Sequence, residues 1–300
     1  MPLIFRPGVL DDSLAIFRVF QEALLDLSQR TGVMALTGGN DPMALAQAWE
    51  RRRPLWEHLA RTADQFWIAE KDGQVVGYAR SILRDGVREL TEFFVRPGEQ
   101  SAGVGRELIA RAFPAEGAKH RLIVATNDVR ALARYHKAGV YARIPEYLFA
   151  RTPEAVSVST DLSVEPMAAE SLEMVGAIDA AVLGHRRDVD QVFLMSERTG
   201  YVYRRGGEVV GYGYVAKDWQ GPFAVLHTSD FPAVLAHAET QAHALGATSV
   251  GFEVPLINRV VVDYLLKRGY QLDGFLGSIM SDEPFGKFEN YLLTSPPFFL

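Results

Sequence analysis

The chain contains no cysteine, so disulfide bridges, thiolate zinc sites, iron–sulfur clusters and cysteine nucleophiles are all excluded. It also lacks an excess of basic charge. Its 31 Lys and Arg stand against 37 Asp and Glu, and the net charge of −6 is opposite in sign to the broad basic footprint of non-specific nucleic-acid binding. No uninterrupted apolar run approaches the ~20 residues of a membrane span. The start Met1-Pro2-Leu3-Ile4-Phe5-Arg6-Pro7 has neither the basic opening nor the apolar stretch of a secretion signal. The seven histidines, at 58, 120, 136, 185, 227, 237 and 243, show no clustered ligand spacing. These absences predict a cytoplasmic protein with no metal, no membrane and no nucleic-acid partner. What is present is an ordinary globular composition, 48% hydrophobic and 23% charged, over 300 residues, enough for two cores.

An internal repeat organises the chain. Asp72-Gly73-Gln74-Val75-Val76-Gly77-Tyr78-Ala79 recurs as Gly206-Gly207-Glu208-Val209-Val210-Gly211-Tyr212-Gly213, each copy reading as an antiparallel hairpin with a glycine-bearing turn. Asp128, Ala131, Gly139 and Val140 align at constant spacing with Asn258, Val261, Gly269 and Tyr270, and Arg6-Pro7 aligns with Glu165-Pro166. A linker is predicted between Ala150 and Leu162, where Thr152-Pro153 and Ser157-Val158-Ser159-Thr160 break the periodicity. Each half reads strand, helices, hairpin, strand, helix, strand, helix, strands, which predicts an α/β or α+β sandwich per module, with domains at 1–150 and 160–300. The first copy is longer within Gln29 to Asp64, where a loop ending at Asp41-Pro42 caps a helix carrying Met43, Leu45, Trp49, Leu55, Trp56 and Leu59. Trp49 and Trp56 share a face, which is either a core stripe or the wall of a substrate pocket.

The chemistry concentrates in Glu89-Leu90-Thr91-Glu92-Phe93-Phe94-Val95-Arg96-Pro97-Gly98-Glu99-Gln100-Ser101-Ala102-Gly103-Val104-Gly105-Arg106. A β-rich strand runs into a glycine turn at the start of a helix whose face carries Leu108, Ile109, Ala112 and Phe113. Free amides at such a helix start attract phosphate, Gly103 and Gly105 permit close approach, and Arg106 adds a charged donor. A Walker loop does not fit, because Gly105-Arg106-Glu107 stands where Gly-Lys-Ser/Thr is needed. A dinucleotide fingerprint fails as well, because Leu108 replaces its third glycine.

Gln100-x-x-Gly103-x-Gly105 resembles the acyl-CoA pyrophosphate loop of the GNAT superfamily, the general-control-related N-acetyltransferases. The following block is similar to the second signature of that family: a strand, Arg121 to Thr126, then Asn127-Asp128 opening a helix with Tyr135 and Gly139. The resemblance covers most of residues 3–150. It implies two tandem GNAT-like domains, each a mixed, mostly antiparallel sheet flanked by helices, and acetyl-CoA as cosubstrate. The cofactor contacts it implies are Phe93, Phe94, Val95, Gln100, Ser101, Ala102, Gly103, Val104, Gly105, Arg106, Asn127 or Asp128, and Tyr135. The strand from Glu89 to Val95 is expected to bulge and to splay from the Leu122 to Thr126 strand, with backbone near Phe93 polarising the thioester carbonyl.

An alkylamine is almost wholly protonated at neutral pH, so its attack on a thioester needs a base. Glu89 and Glu92 are the candidates, with a water chain as the other route; the resemblance favours Glu89, alternation puts the two on opposite faces unless the bulge intervenes, and the alternative is that either is a solvated or salt-bridged strand residue. Tyr135 matches the family's phenol donor to the leaving thiolate, against the alternative of a core tyrosine. The second half keeps Asn258 and Gly269 but has Leu265 at the tyrosine position and no Q-x-x-G-x-G before its Ala-rich helix. That resemblance is to a degenerate module. Gly184-His185-Arg186-Arg187-Asp188 is polar and reads as a solvated loop, with a substrate-facing run as the alternative. The function expected is acetyl transfer to a primary amine of a small molecule or peptide, by a monomer or homodimer. A non-catalytic acyl-CoA sensor or scaffold is the alternative.

Overall fold

The two-residue turns named above set the hairpins. Asp72 (φ 53°) with Gly73 (φ 74°), and Gly206 (φ 57°) with Gly207 (φ 92°), are consecutive left-handed pairs, the geometry that matches the twist of flanking strands. A computed structural model describes residues 3–32, 41–100, 103–294 and 299–300. Its first elements are β1 (Ile4–Pro7), α1 (Ser13–Thr31), α2 (Pro42–Thr62), β2 (Gln65–Lys71), β3 (Gln74–Arg84), β4 (Val87–Val95), α3 (Val104–Ala112), β5 (His120–Thr126), α4 (Val129–Lys137) and β6 (Tyr141–Arg151). The pattern then repeats as β7 (Ser163–Pro166), α5 (Ser171–Val182), α6 (Asp188–Glu197), β8 (Thr199–Arg205), β9 (Glu208–Val215), β10 (Gln220–Val225), α7 (Phe231–Ala244), β11 (Val250–Pro255), α8 (Arg259–Lys267), β12 (Gln271–Ser281) and β13 (Tyr291–Leu292). Among the described residues no helix is long and apolar enough to cross a membrane.

The chain forms two compact units, Met1–Ile123 with Asp128–Tyr141, and Val124–Asn127 with Ala142–Leu300. In the first, strands run in the order β1-β2-β3-β4-β5, antiparallel except for the β4–β5 pair. Helices α1 and α2 pack on one face through Phe17, Phe20, Trp49 and Trp56, whose rings lie 5.3–5.4 Å apart in the Phe17–Trp49, Phe17–Trp56 and Phe20–Trp56 pairs. Trp56 is fully buried, so the stripe is core. Burial of each large apolar side chain contributes about 1.5–3 kcal/mol. Met43 departs from that stripe at 72% exposure, because it sits in the first turn of α2, beside the cap Asp41, ahead of the packed stretch.

The second unit has one sheet in the order β13-β10-β9-β8-β7 and a second run β12-β6-β11. Strand β6 pairs antiparallel with β11, from Glu146↔Pro255 to Arg151↔Val250. The division therefore falls at Tyr141, ahead of the linker expected at 150–162, because β6 finds its hydrogen-bond partner in the second half. No local pattern could signal such a pairing.

This pairing buries Glu146 (4% exposed) against Glu253 (7%), and burial pushes the Glu146 carboxyl up to about 7. An acid whose folded value is raised binds more protons in the native than in the unfolded chain between ~4.3 and about 7. Stability is expected to fall as pH rises through that window, with a slope approaching ~1.4 kcal/mol per pH unit. Urea unfolding at pH 5 and pH 8 checks this: Glu146→Gln should flatten the slope, and an equal slope in the variant refutes the assignment.

Candidate active site

Strand β4 carries one residue more than its partner. Arg80 pairs with Glu92 and Ser81 with Leu90, so Thr91 is extra, and its Oγ1 donates to Arg80 O at 3.1 Å. The bulge changes the phase of the strand. Glu89 lies opposite Ile82 and Glu92 opposite Arg80, and Ile82 and Arg80 share a face. Both carboxylates therefore fall on one side of the sheet, where strict alternation would separate them. Beyond the bulge β4 also parts from β5. Their parallel ladder runs through Val87↔His120, Arg88↔Arg121 and Glu89↔Leu122, and among the described residues the β4 backbone through Phe93, Phe94 and Val95 has no ladder on that side.

The two glutamates differ in environment. Glu92 accepts from Arg80 Nε at 2.6 Å and from Arg80 Nη2, and Tyr78 OH donates to its other oxygen at 3.2 Å. Arg80 Nη1 donates in turn to Trp56 O at 2.9 Å, and both charged side chains are wholly buried. Burial raises the Glu92 carboxyl above its ordinary range; Arg80 and Tyr78 oppose the shift without cancelling it. Glu89, 5% exposed, stands one bulge earlier at the last pair of the β4–β5 ladder. Phe94 packs on Phe20 and Tyr78, with ring centroids 5.1 and 5.9 Å apart.

On the opposite face Phe93 meets Tyr135 of α4, ring centroids 6.0 Å apart and edge to face. Tyr135 is 7% exposed, and burial, helped by the charge of Asp128, pushes its phenol above the usual value. Between β4 and α3, Gln100 donates to Val95 O at 3.3 Å and accepts from Arg130. Gly103 caps α3 in the left-handed region (φ 80°), and a Cβ there would meet nothing within 4 Å. Gly105 is closed in, since a Cβ would stand 2.9 Å from Phe93 and 3.2 Å from Arg134. Val104 is buried, whereas the Arg106 side chain is 78% exposed. Ser101 and Ala102 lie outside the described residues.

Asp128 is committed to structure. It caps α4 by accepting from Arg130 N at 3.0 Å and pairs with Arg30 of α1 at 2.8 Å. Burial works to raise its carboxyl, but these donors outweigh it and hold it below the ordinary range. Asn127, immediately before the cap, has a buried Oδ1 with no hydrogen-bond partner.

Residues 34–140 match the profile of the Acetyltransferase (GNAT) family. Over those residues this module is similar to the GNAT acetyltransferases. Among solved structures, a Pyrococcus horikoshii protein classed as an acetyltransferase superposes with a TM-score of 0.71 at 14% identity, covering 96% of this chain and 92% of that one. A GCN5-related N-acetyltransferase from Sphaerobacter thermophilus gives 0.61 at 16%, covering 95% and 97%. The tandem GNAT protein from the clavulanic acid biosynthesis pathway gives 0.60 at 14%, covering 94% and 99%. These likenesses run over nearly the whole of both chains and establish a tandem GNAT fold. No curated protein matches the sequence.

Within the first module, Arg80, Arg30 and Arg130 carry no local signal that marks them as site residues. Tyr78-x-Arg80 alternates onto one face of β3, a signal that becomes informative only once the bulge phases Glu92 beside it. In the second module the polar run at 184–188 is not the solvated loop expected. Arg187, 2% exposed, donates from Nε to Asp179 at 3.0 Å and from Nη2 to Tyr212 OH at 2.8 Å, while Gln191 Nε2 donates to the same hydroxyl at 3.1 Å. A guanidinium is buried only with such partners, and Asp179 stands on α5, beyond any local motif.

Proposed function

We propose that the first module is an acetyl-CoA-dependent N-acetyltransferase that acetylates a primary amine of a small molecule or peptide by direct attack. The observation that carries this reading is the β4–β5 ladder that stops at Glu89↔Leu122, leaving strand backbone open directly before a glycine-capped helix. The open backbone suits an extended pantetheine arm, with an amide placed where carbonyl charge develops. The first amides of α3, approached past Gly103, suit the pyrophosphate. Asn127 Oδ1, buried and unpartnered, suits a cofactor donor better than the already committed Asp128. Acetyl-CoA supplies the activated acyl group as a thioester.

Glu89 is the base assigned here, because it stands on the same face as Glu92 at the last pair of the β4–β5 ladder, where the strand begins to open. It takes a proton from the acceptor ammonium, directly or through one water. Burial keeps the Tyr135 phenol protonated at neutral pH, so it stays a donor and offers its O–H to the departing sulfur. Calorimetric titration with acetyl-CoA, followed by turnover on a panel of amines, tests the reading. Glu89→Gln and Tyr135→Phe are expected to lower kcat by about 10²–10⁴ and about tenfold or more, with acetyl-CoA affinity kept within about threefold. Binding without turnover on any amine would leave a non-catalytic acyl-CoA module. Absence of binding overturns the proposal.

A further inference from the structure

The second module repeats the bulge of the first but not its open strand. β9 aligns with β3 through Gly211-Tyr212-Gly213 and Gly77-Tyr78-Ala79, so the pairs Tyr212↔Ala224 and Gly213↔Phe223 correspond to Tyr78↔Phe94 and Ala79↔Phe93. Each ladder slips at the same place, beside Gln220 in β10 and Leu90 in β4. Strands β4 and β5 share only a short ladder before they part, and their counterparts β10 and β11 are not sheet neighbours among the described residues. Here the gap is filled. Leu292 pairs with Phe223, Tyr291 pairs with Ala224, and Leu293 bridges to Glu253 of β11, with Leu293 N donating to Glu253 O at 3.1 Å. The filled positions are the equivalents of Phe93 and Phe94.

The filling segment has a fitted seat. Asn290 Nδ2 donates to Val225 O at 2.9 Å and to Leu226 O at 3.1 Å, closing one end. The Arg187 guanidinium, held by Asp179, lies 5.3 Å over the Tyr291 ring. Gly221, at φ +80°, allows the close approach, since a Cβ there would collide with Leu293 O. Tyr291, Leu292 and Leu293 are at most 1% exposed.

We infer that the slot of the second module is a peptide-strand site whose resident ligand is residues 290–294 of the same chain, so that the protein takes one acyl-CoA, in its first module. The count of one rests on the acetyltransferase reading; the assignment of the peptide ligand does not. An extended strand and a pantetheine arm present the same amide chemistry to a splayed β-strand, so one can stand where the other would pair.

Hydrogen exchange followed by mass spectrometry on the full chain, with and without saturating acetyl-CoA, tests this. Amides at 223–225 and 291–293 are expected to exchange at least ~100-fold more slowly than unstructured chain before any ligand is added, and to be unchanged by acetyl-CoA. Segments around 93–106 should gain protection. Asn290→Ala and Gly221→Val should each speed exchange at 291–293 by about tenfold; if Gly221→Val does not fold, Asn290→Ala carries the test. Unstructured exchange rates at 291–293 in the wild type, or unaltered exchange in the folded variants, overturn the peptide assignment. Two acetyl-CoA per chain with new protection at 223–225 overturns it as well. If acetyl-CoA protects neither module, the acetyltransferase reading fails while exchange at 291–293 still decides the peptide ligand.

Discussion

Gly103→Glu is expected to weaken acetyl-CoA binding at least ~100-fold, about 2.7 kcal/mol, while the chain stays folded. Gly103 is left-handed, so any side chain there costs roughly 1–2 kcal/mol of backbone energy, but its Cβ would meet no atom within 4 Å. The glutamate can therefore be accommodated by the protein and projects from the start of α3. There it places a negative charge at the helix end that attracts phosphate, and it occupies the approach to the amides. Gly103→Ala separates the causes, since it bears the same backbone cost without bulk or charge and should lose less than about tenfold. Calorimetric titration of both variants, with thermal unfolding as the folding control, measures the difference. Equal losses would place the effect in the backbone and not in an anion site.

Arg80→Met is expected to have the largest effect on stability, about 3–5 kcal/mol, because it leaves Glu92 buried without its cation. Tyr78 OH remains as its partner and cannot neutralise a carboxylate. The midpoint of thermal unfolding should fall by about 10 °C or more. The double variant Arg80→Met/Glu92→Met should recover most of the loss, since two apolar side chains of similar volume remove the stranded charge together. Additive losses in the double variant would show that the two residues act independently and that the ion pair is not what stabilises this face of the sheet.

The parts of the fold visible in the sequence are those with local causes. Asp72-Gly73 and Gly206-Gly207 announce tight turns because few other residues tolerate consecutive positive φ, and Asp41, Asp128 and Asn258 announce helix starts because a short polar side chain reaches the second or third amide, Met43 N, Arg130 N and Val261 N respectively. The tandem arrangement followed from the repeat. The phosphate-loop candidate was legible for the same reason, as a glycine turn before an amphipathic helix.

What escaped depended on register and on partners distant in sequence. Whether Glu89 and Glu92 share a face is decided by a single extra residue; the family resemblance implies a bulge somewhere in this strand, but nothing in Leu90-Thr91 gives its position. Arg80 could not be read as a partner of Glu92 without that register. The pairing of β6 with β11 and the seating of β13 join segments far apart, and β13 spans only two residues, too few for a periodic pattern. Arg187 failed for a further reason: its neighbours Arg186 and Asp188 are exposed enough to make the run look solvated, while Arg187 itself turns inward to Asp179.

The allegiance of β6 has a consequence for how such a chain can change over generations. Once a strand encoded ahead of the linker pairs with β11, deletion of either copy strands a β-edge in what is left. A cut at the linker no longer returns a single ancestral module. The two copies are thereby tied together: the second module can differ from the first at single positions, as with Leu265 where the first has Tyr135, while its strand is still needed. Selection can then hold the second half in place for its strand alone, with no chemistry of its own required.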